Sequence, residues 1–425
     1  MSILDELVRL SESDELALHM PGHKRKGIGA LKGTEAIDIT EIEGYDNLYD
    51  AEGILKEAVD RAAHLYNCPN TYYLINGSTG GNLTAISAVS GKTDNPGQES
   101  GKPASYSDSD RQHIIIASNC HRSVRSACEL NRLIIHELIV DALNGDSEIY
   151  DGVSPENLSQ LINKLMSEGI TPIAVVITSP NYDGIISDIG TIVKICHNKK
   201  IPLIVDEAHG AHLSLHKSLP KGALDFGADI VIHSMHKTLR AMTQTALLHV
   251  SGDLVDITQV NKYYRIFQSS SPSYVLMASM DEAVCELMDN ADTLFERFML
   301  SKGHFLQMIQ GLSCLRVLGD EDLKGSRAYA LDPCKITVDV TTCPINGYEL
   351  QRLLLQDYRI QLEMASEDRV VAITTYADSR EDLERFALAL LSIDDMIKTG
   401  RIGIPKGQTQ AERAADKNMY APCIG

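Results

Sequence analysis

Ile230, Val231 and Ile232 have the length and β-branching of a buried strand, and the run stops abruptly at His233, Ser234, His236, Lys237 and Thr238. A lysine just past a strand end, among histidines and hydroxyls, is poorly placed for a solvated surface residue. Burial without a carboxylate beside it favours the neutral amine, and a neutral amine condenses with an aldehyde. Lys237 is therefore expected to be a Schiff-base lysine. The plain alternative is an ordinary loop lysine, since lysines are rarely buried.

Other residues have to decide between these. Asn-Gly-Ser-Thr-Gly-Gly-Asn (76–82) lies between a brief strand, Tyr72 to Ile75, and a helical pattern, Leu83 to Val89. Strand, glycine-hydroxyl loop and helix N-terminus make an anion cradle, because free N–H groups and the helix dipole face the loop. A phosphate suits it, with Ser78, Thr79 and Gly80 as donors. Ser-Gly-Lys-Thr (90–93) resembles the tail of a Walker loop, but the first glycine would fall at Ile86 and the helix precedes it. The basic loop at 19–27, with His19, His23, Lys24, Arg25 and Lys26, invites an anion or is a solvated tip.

The elements that must position these groups recur along the chain. Apolar runs at Ile114 to Ala117, Ile173 to Thr178, Leu203 to Asp206 and Ile230 to Ile232 are separated by helical spacers. That pattern predicts an α/β fold with a mostly parallel sheet covered on both faces, its ligand outside the carboxyl ends of the strands. The residues that follow the runs should then meet: Ser118 to Ser123, Ser179 to Gly184, Asp206 to His209, and Ser234 to Lys237. Together they match what pyridoxal 5'-phosphate needs. Lys237 supplies the amine, Asp206 a buried carboxylate for the pyridine nitrogen, and His121 a flat neighbour for the ring. Ser234 and His236 join Ser78, Thr79 and Gly80 at the phosphate. Two competing readings are an Asp206 that caps the following helix, and a zinc site among His209, His212, His216, His233 and His236. The second lacks both an HExxH pattern and any CxxC pair, so no metal is expected.

Composition agrees with a soluble enzyme. Of 425 residues, 44% are hydrophobic and 23% charged, and the net charge of -19 argues against nucleic-acid or anionic-membrane partners. Nine scattered cysteines without a CxxC pair read as free thiols in a reducing cytoplasm. No signal peptide or spanning segment is expected. Residues 91–111 read as a surface excursion.

Six ordered phrases carry a resemblance: His-Met-Pro-Gly-His-Lys (19–24), Asn-Gly-Ser-Thr-Gly-Gly-Asn (76–82), His-Arg-Ser-Val (121–124), Asp-Glu-Ala-His-Gly-Ala-His (206–212), Ser-Met-His-Lys-Thr (234–238) and Gln-Ser-Ser-Ser-Pro-Ser-Tyr (268–274). From Leu18 to Asp281 the chain resembles the Orn/Lys/Arg decarboxylase family, major domain, in its short bacterial form. The resemblance implies a fold-type I, transferase-like architecture and decarboxylation of arginine, lysine or ornithine. It also implies that Lys237 holds the cofactor, Asp206 pairs with its ring nitrogen, His121 stacks and handles protons, and Ala208 and His209 lie against the ring. The segment Gln268 to Ser273, with Ser270, would reach the phosphate of the neighbouring subunit in a homodimer. Asp183 is offered for the distal cation of the substrate, or as a turn residue. An aminotransferase, an aldolase-type lyase and a catalytically silent relative are the alternatives.

The expected layout is an N-terminal segment (1–45), a large cofactor-binding domain (46–280), a connecting helix (281–310) and a small α+β C-terminal domain (311–425). Within the last, strands are expected at Leu315 to Leu318, Lys335 to Val340 and Val370 to Thr374. By the resemblance the family tail is shortened at 400–425, which bears on how the site closes.

Overall fold

A computed structural model describes residues 1–91, 111–143 and 148–402. Most of the expected surface excursion at 91–111 and of the tail at 400–425 lies outside the described residues. The elements run α1 (Ile3–Ser11), α2 (Lys32–Ala36), α3 (Ile54–Leu65), β1 (Asn70–Leu74), α4 (Gly77–Ser90), β2 (His113–Ala117), α5 (Arg122–Leu130), β3 (Ile134–Leu138), α6 (Pro155–Ser167), β4 (Val175–Thr178) and β5 (Ile185–Ser187). They continue with α7 (Ile189–His197), β6 (Leu203–Asp206), β7 (Ile230–Ser234), α8 (Met235–Thr238), β8 (Ala246–Val250), α9 (Ile257–Phe267) and α10 (Tyr274–Met308). The last are β9 (Arg316–Val317), β10 (Ala328–Leu331), β11 (Lys335–Asp339), α11 (Gly347–Tyr358), β12 (Met364–Ala365), β13 (Arg369–Ile373) and α12 (Arg380–Lys398).

Seven strands form the large sheet in the order β1-β8-β7-β6-β4-β2-β3. The expected parallel set β2, β4, β6, β7 is its centre, extended by a parallel β3. β8 runs antiparallel to both β7 and β1. Neither β3 nor β8 stands out in the apolar-run pattern: His136 and Glu137 interrupt one, and the other follows the lysine turn without a helical spacer. The central strands are apolar throughout because both faces are covered. Ile114, Ile116, Val176, Ile204, Ile230 and Ile232 point into one core with α3, α4 and α10. Their alternating neighbours Ile115, Val175, Ile177, Leu203, Val205 and Val231 enter a second core with α6 and α7. The period of two along each strand splits a continuous apolar run between two layers.

The glycines of the 76–82 stretch do specific work. Gly77 has φ +68°, a left-handed turn that lets the chain leave β1 and enter α4. At Gly81 a Cβ would lie 2.7 Å from Ile232 Cγ2 and 2.9 Å from Leu74 Cδ1, so only glycine allows α4 this close to the sheet. The helix therefore begins at Gly77, earlier than the expected Leu83, and Ser78, Thr79 and Gly80 form its first turn.

A four-stranded sheet, β12-β13-β11-β9, packs with α11 and α12 around its own core of Ile336, Val338, Leu350, Leu354, Val370 and Leu390. α10 begins at Tyr274, earlier than the expected Asp281, and its N-cap is Ser273, whose side chain accepts from the Leu276 N–H. The last serine of the 268–274 phrase thus also starts the helix.

Candidate active site

The carboxyl ends of β2, β4, β6 and β7 bring the expected residues into two hydrogen-bonded chains. The first is built on Asp206, the last residue of β6, which is buried. Its Oδ1 accepts from the Ala208 N–H at 3.2 Å, and its Oδ2 accepts from Asn82 Nδ2 at 2.8 Å. Asn82 Nδ2 also reaches Ser123 Oγ at 2.9 Å, and Ser123 Oγ lies 2.7 Å from His121 Nδ1. No helix starts directly after β6, so Asp206 caps none and bonds a short turn instead, against the competing capping reading. His121 is the N-cap of α5, its Nδ1 accepting from the Ser123 N–H at 3.2 Å. That bond leaves the ring proton on Nε2. Loss of solvent lowers the His121 pKa, Asp206 opposing and Lys237 assisting.

The second chain is built on Lys237 in α8, the single turn that follows β7. Its Nζ lies 3.1 Å from His209 Nε2. Burial pushes the Lys237 ammonium below its ordinary value, against the pull of Asp206 and Glu363. On the other side of the imidazole, Lys335 Nζ lies 2.8 Å from His209 Nδ1. Tyr182 packs edge-on against His209, with ring centroids 5.1 Å apart, and donates to Glu363 Oε1 at 2.6 Å. Neither Lys335 nor Glu363 is apparent from the sequence, since each stands in an ordinary strand region of the C-terminal part. His236 is fixed by Thr245, whose carbonyl lies 2.9 Å from His236 Nδ1.

Several buried polar atoms around these chains have no hydrogen-bond partner: Ser234 Oγ, Thr238 Oγ1, Thr178 Oγ1, Asn82 Oδ1 and Asn119 Oδ1. Such atoms are costly unless something fills the space they face. Ser78 and Thr79 stand at the N-terminus of α4, where the first N–H groups lack intrahelical partners.

The reading of Asp183 as a cation-binding acid changes: its carboxylate is buried in a turn, the alternative reading, and held by Arg369, Nε to Oδ1 at 2.6 Å and Nη2 to Oδ2 at 3.1 Å. In the 268–273 segment, Gln268 Oε1 accepts from the Ile75 N–H at 3.0 Å and the Asn76 N–H at 3.3 Å, while Ser269, Ser270 and Ser271 are exposed. In the basic loop, His23 pairs with Asp38 at 3.1 Å, and Lys24 and Arg25 donate to backbone carbonyls of their own chain. Those side chains are already engaged.

The five histidines also separate. His233 bonds Glu207 at 2.8 Å and His249 at 3.2 Å, His216 bonds Ser218 at 2.7 Å, and His212 pairs with Asp332 at 2.8 Å. Among the described residues, His212, Asp332 and Cys334 have ligand atoms within 4.8 Å of one another. Burial lowers the Lys302 pKa to about 8, with Cys334 and Asp332 opposing, so a lysine nitrogen already stands beside the trio.

The family profile of Orn/Lys/Arg decarboxylase, major domain, matches residues 3–96 and 103–382. The chain belongs to this family. It is 29% identical to an arginine decarboxylase of Bacillus cereus over 96% of this chain and 84% of that one. To the arginine decarboxylase of Bacillus subtilis it is 30% identical over 88% of this chain and 73% of that one. Among solved structures, the Francisella novicida lysine decarboxylase superposes with a TM-score of 0.74 at 20% identity. The match covers 93% of this chain and 60% of that one, so this chain spans less than two thirds of that enzyme's length. The shared fold is the mostly parallel, helix-covered architecture of fold-type I enzymes. Among the described residues no helix is long and apolar enough to cross a membrane.

Proposed function

We propose that this chain is a pyridoxal 5'-phosphate-dependent decarboxylase of a basic amino acid, with arginine the first candidate because the curated relatives at 28–30% identity include arginine decarboxylases. The observation that carries the reading is the pair of hydrogen-bonded chains, Asp206–Asn82–Ser123–His121 and Lys237–His209, at the carboxyl edge of the sheet. The unpartnered oxygens of Ser234, Thr238 and Asn119 fit a polar group seated between them. Lys237 and Asp206 would hold the aldehyde and ring-nitrogen ends of the cofactor, with Ser78, Thr79, Gly80, Ser234 and His236 at its phosphate and His121, Ala208 and His209 beside its ring. Bound there, pyridoxal phosphate supplies an aldehyde for amines and a ring that accepts the electron pair left by a departing carboxylate.

The chain's own residues supply the rest. Asp206, anchored through both oxygens, holds an anion at the place where a proton must stay on a ring nitrogen. His121 presents its Nε2–H as a hydrogen-bond donor and passes on a proton only as the imidazolium, which burial disfavours. Half-buried Lys237 offers a free amine as a second proton carrier at Nζ. Glu363 takes over the role expected of Asp183: it is exposed, reaches the Tyr182 hydroxyl and acts electrostatically on Lys237, so it suits a guanidinium or ammonium at the far end of a substrate. The exposed Ser270 is available to a second copy in a homodimer. Free, scattered thiols fit the cytoplasm.

Incubation with arginine, lysine or ornithine should release carbon dioxide and the matching amine in equal amounts. Keto-acid formation without carbon dioxide would replace this reading with an aminotransferase. Asp206→Asn removes the anion while keeping the amide's shape, and kcat is expected to fall by about 10²-fold or more. An unchanged kcat in that variant would remove Asp206 from the mechanism.

A further inference from the structure

His209 is contacted on both ring nitrogens by lysines, Lys237 Nζ at Nε2 (3.1 Å) and Lys335 Nζ at Nδ1 (2.8 Å). A neutral imidazole has one N–H and one lone pair, whereas an ammonium has donors only. Both contacts can be hydrogen bonds only if one lysine donates to the ring and the other accepts from it. At most one of the two is then an ammonium. Burial, with Lys335 and Lys237 next in order, holds the His209 pKa well below its ordinary value, so the ring stays neutral.

The surroundings decide which lysine carries the charge. Lys335, the first residue of β11, is buried, which lowers its pKa to about 8, while Asp332 in the preceding turn pulls it back towards the charged form. Burial works against charge on Asp332, but the paired His212 keeps its carboxyl below the usual range. The Nζ of Lys335 also lies 5.7 Å from the centroid of the Tyr182 ring, at cation–π range. Glu363 and Asp183 add negative charge on the Tyr182 side, the latter neutralised by Arg369. Lys302, from α10, donates to the Lys335 carbonyl at 3.1 Å and fixes the strand end. On the other side, Asp206 is the main anion acting on Lys237, and its two oxygens are already committed to Asn82 and to the Ala208 N–H.

We infer that Lys335 is a positioning residue for Lys237: as an ammonium it donates to His209 Nδ1, which places the ring proton on Nε2 and leaves Lys237 as the free amine that accepts it. A charge some way from the reacting atoms thereby keeps the nucleophile uncharged and aimed. The inference rests on Lys237 being the reactive amine. It needs no particular substrate.

The test reads Lys237 directly. The full-length chain, freed of bound cofactor, is acetylated with trace acetic anhydride between pH 6 and 11, and the Lys237 peptide is quantified by mass spectrometry. Wild-type Lys237 should react at pH 8 largely as a free amine. In Lys335→Met the imidazole is free to turn its proton to Nδ1 and accept from a Lys237 ammonium. The labelling midpoint should then rise by about one pH unit, and reactivity below the wild-type midpoint should fall about tenfold. Lys335→Arg, which keeps charge and donors, should restore most of it. Unchanged labelling in a folded Lys335→Met, or a wild-type midpoint at the ordinary lysine value, would overturn the inference. If the Lys335 variants do not fold, the imidazole ¹⁵N shifts of the wild type decide, with the His209 signal identified by its loss in His209→Gln. An unprotonated Nδ1 is expected, and a proton on Nδ1 overturns the inference. A chain that shows these labelling results yet releases no carbon dioxide from any basic amino acid would leave the inference standing and remove the decarboxylase reading.

Discussion

Lys237→Ala should abolish carbon dioxide release from every basic amino acid, with a loss of at least about 10³-fold, while far-UV circular dichroism stays that of the wild type. The magnitude follows from two functions lost together, a covalent anchor and a positioned proton carrier, the second alone worth about 10²–10⁴. The fold should tolerate the change because the backbone of α8 is held independently: the Leu239 N–H bonds the Met235 carbonyl at 2.8 Å, and the Met235 N–H bonds the Thr245 carbonyl at 3.1 Å. Removing the side chain costs His209 one contact and leaves the other, to Lys335, in place. Addition of pyridoxal phosphate should give the visible band of a lysine-bound cofactor in the wild type and not in the variant. A variant that keeps both the band and turnover would show that another amine does the chemistry, and Lys335 would be the first to examine.

Why Lys237 was legible and Lys335 was not has a physical basis. Lys237, Asp206 and the Ser78–Gly80 turn each end a strand or begin a helix, where a polar residue behind an apolar run is visible in one dimension. Asn82 lies one helical turn further on, and its role depends on the close approach that Gly81 permits between α4 and β7. Lys335 and Glu363 enter from the four-stranded sheet and its approach, far along the chain from the strands they meet, so no spacing rule links them to His209. Their placement depends on how the two sheets dock, and local sequence does not encode that. Asp183 shows the opposite failure. As an acid in a strand-end loop it has the right chemistry for a cationic substrate, but Arg369 arrives from β13 and takes that place. The same docking that supplies Lys335 to the site removes Asp183 from it.

Arg369→Met should therefore destabilise the chain by about 3–5 kcal/mol at pH 7, because it leaves the Asp183 carboxylate buried without its partner. Both groups are buried, and the guanidinium also reaches Ser366 Oγ at 3.2 Å and Asp368 Oδ1 at 2.9 Å. The pair links the loop after β4 to the first residue of β13, and Thr337 of β11 adds a hydroxyl bond to the Asp183 carbonyl at 3.3 Å. Its pH dependence has a definite sign. Burial holds the Asp183 carboxyl above its ordinary value, with Arg369 pulling it down. An acid whose folded pKa is raised favours the folded state below its unfolded pKa, and that contribution is lost as pH rises through the folded value. Removing Arg369 takes away the opposing pull, so the folded pKa climbs further. The deficit should be full near neutrality and shrink as pH falls into the carboxylate range, where Asp183 can be buried as the neutral acid. Urea denaturation of wild type and variant at pH 7 and pH 5 measures this directly. A double variant, Asp183→Leu with Arg369→Met, should recover much of the loss, since an apolar pair leaves no unpaired charge. If instead Asp183→Asn unfolds no more easily than the wild type but raises KM for arginine, Asp183 reaches the substrate after all, and the docking of the two sheets described above is wrong at that point.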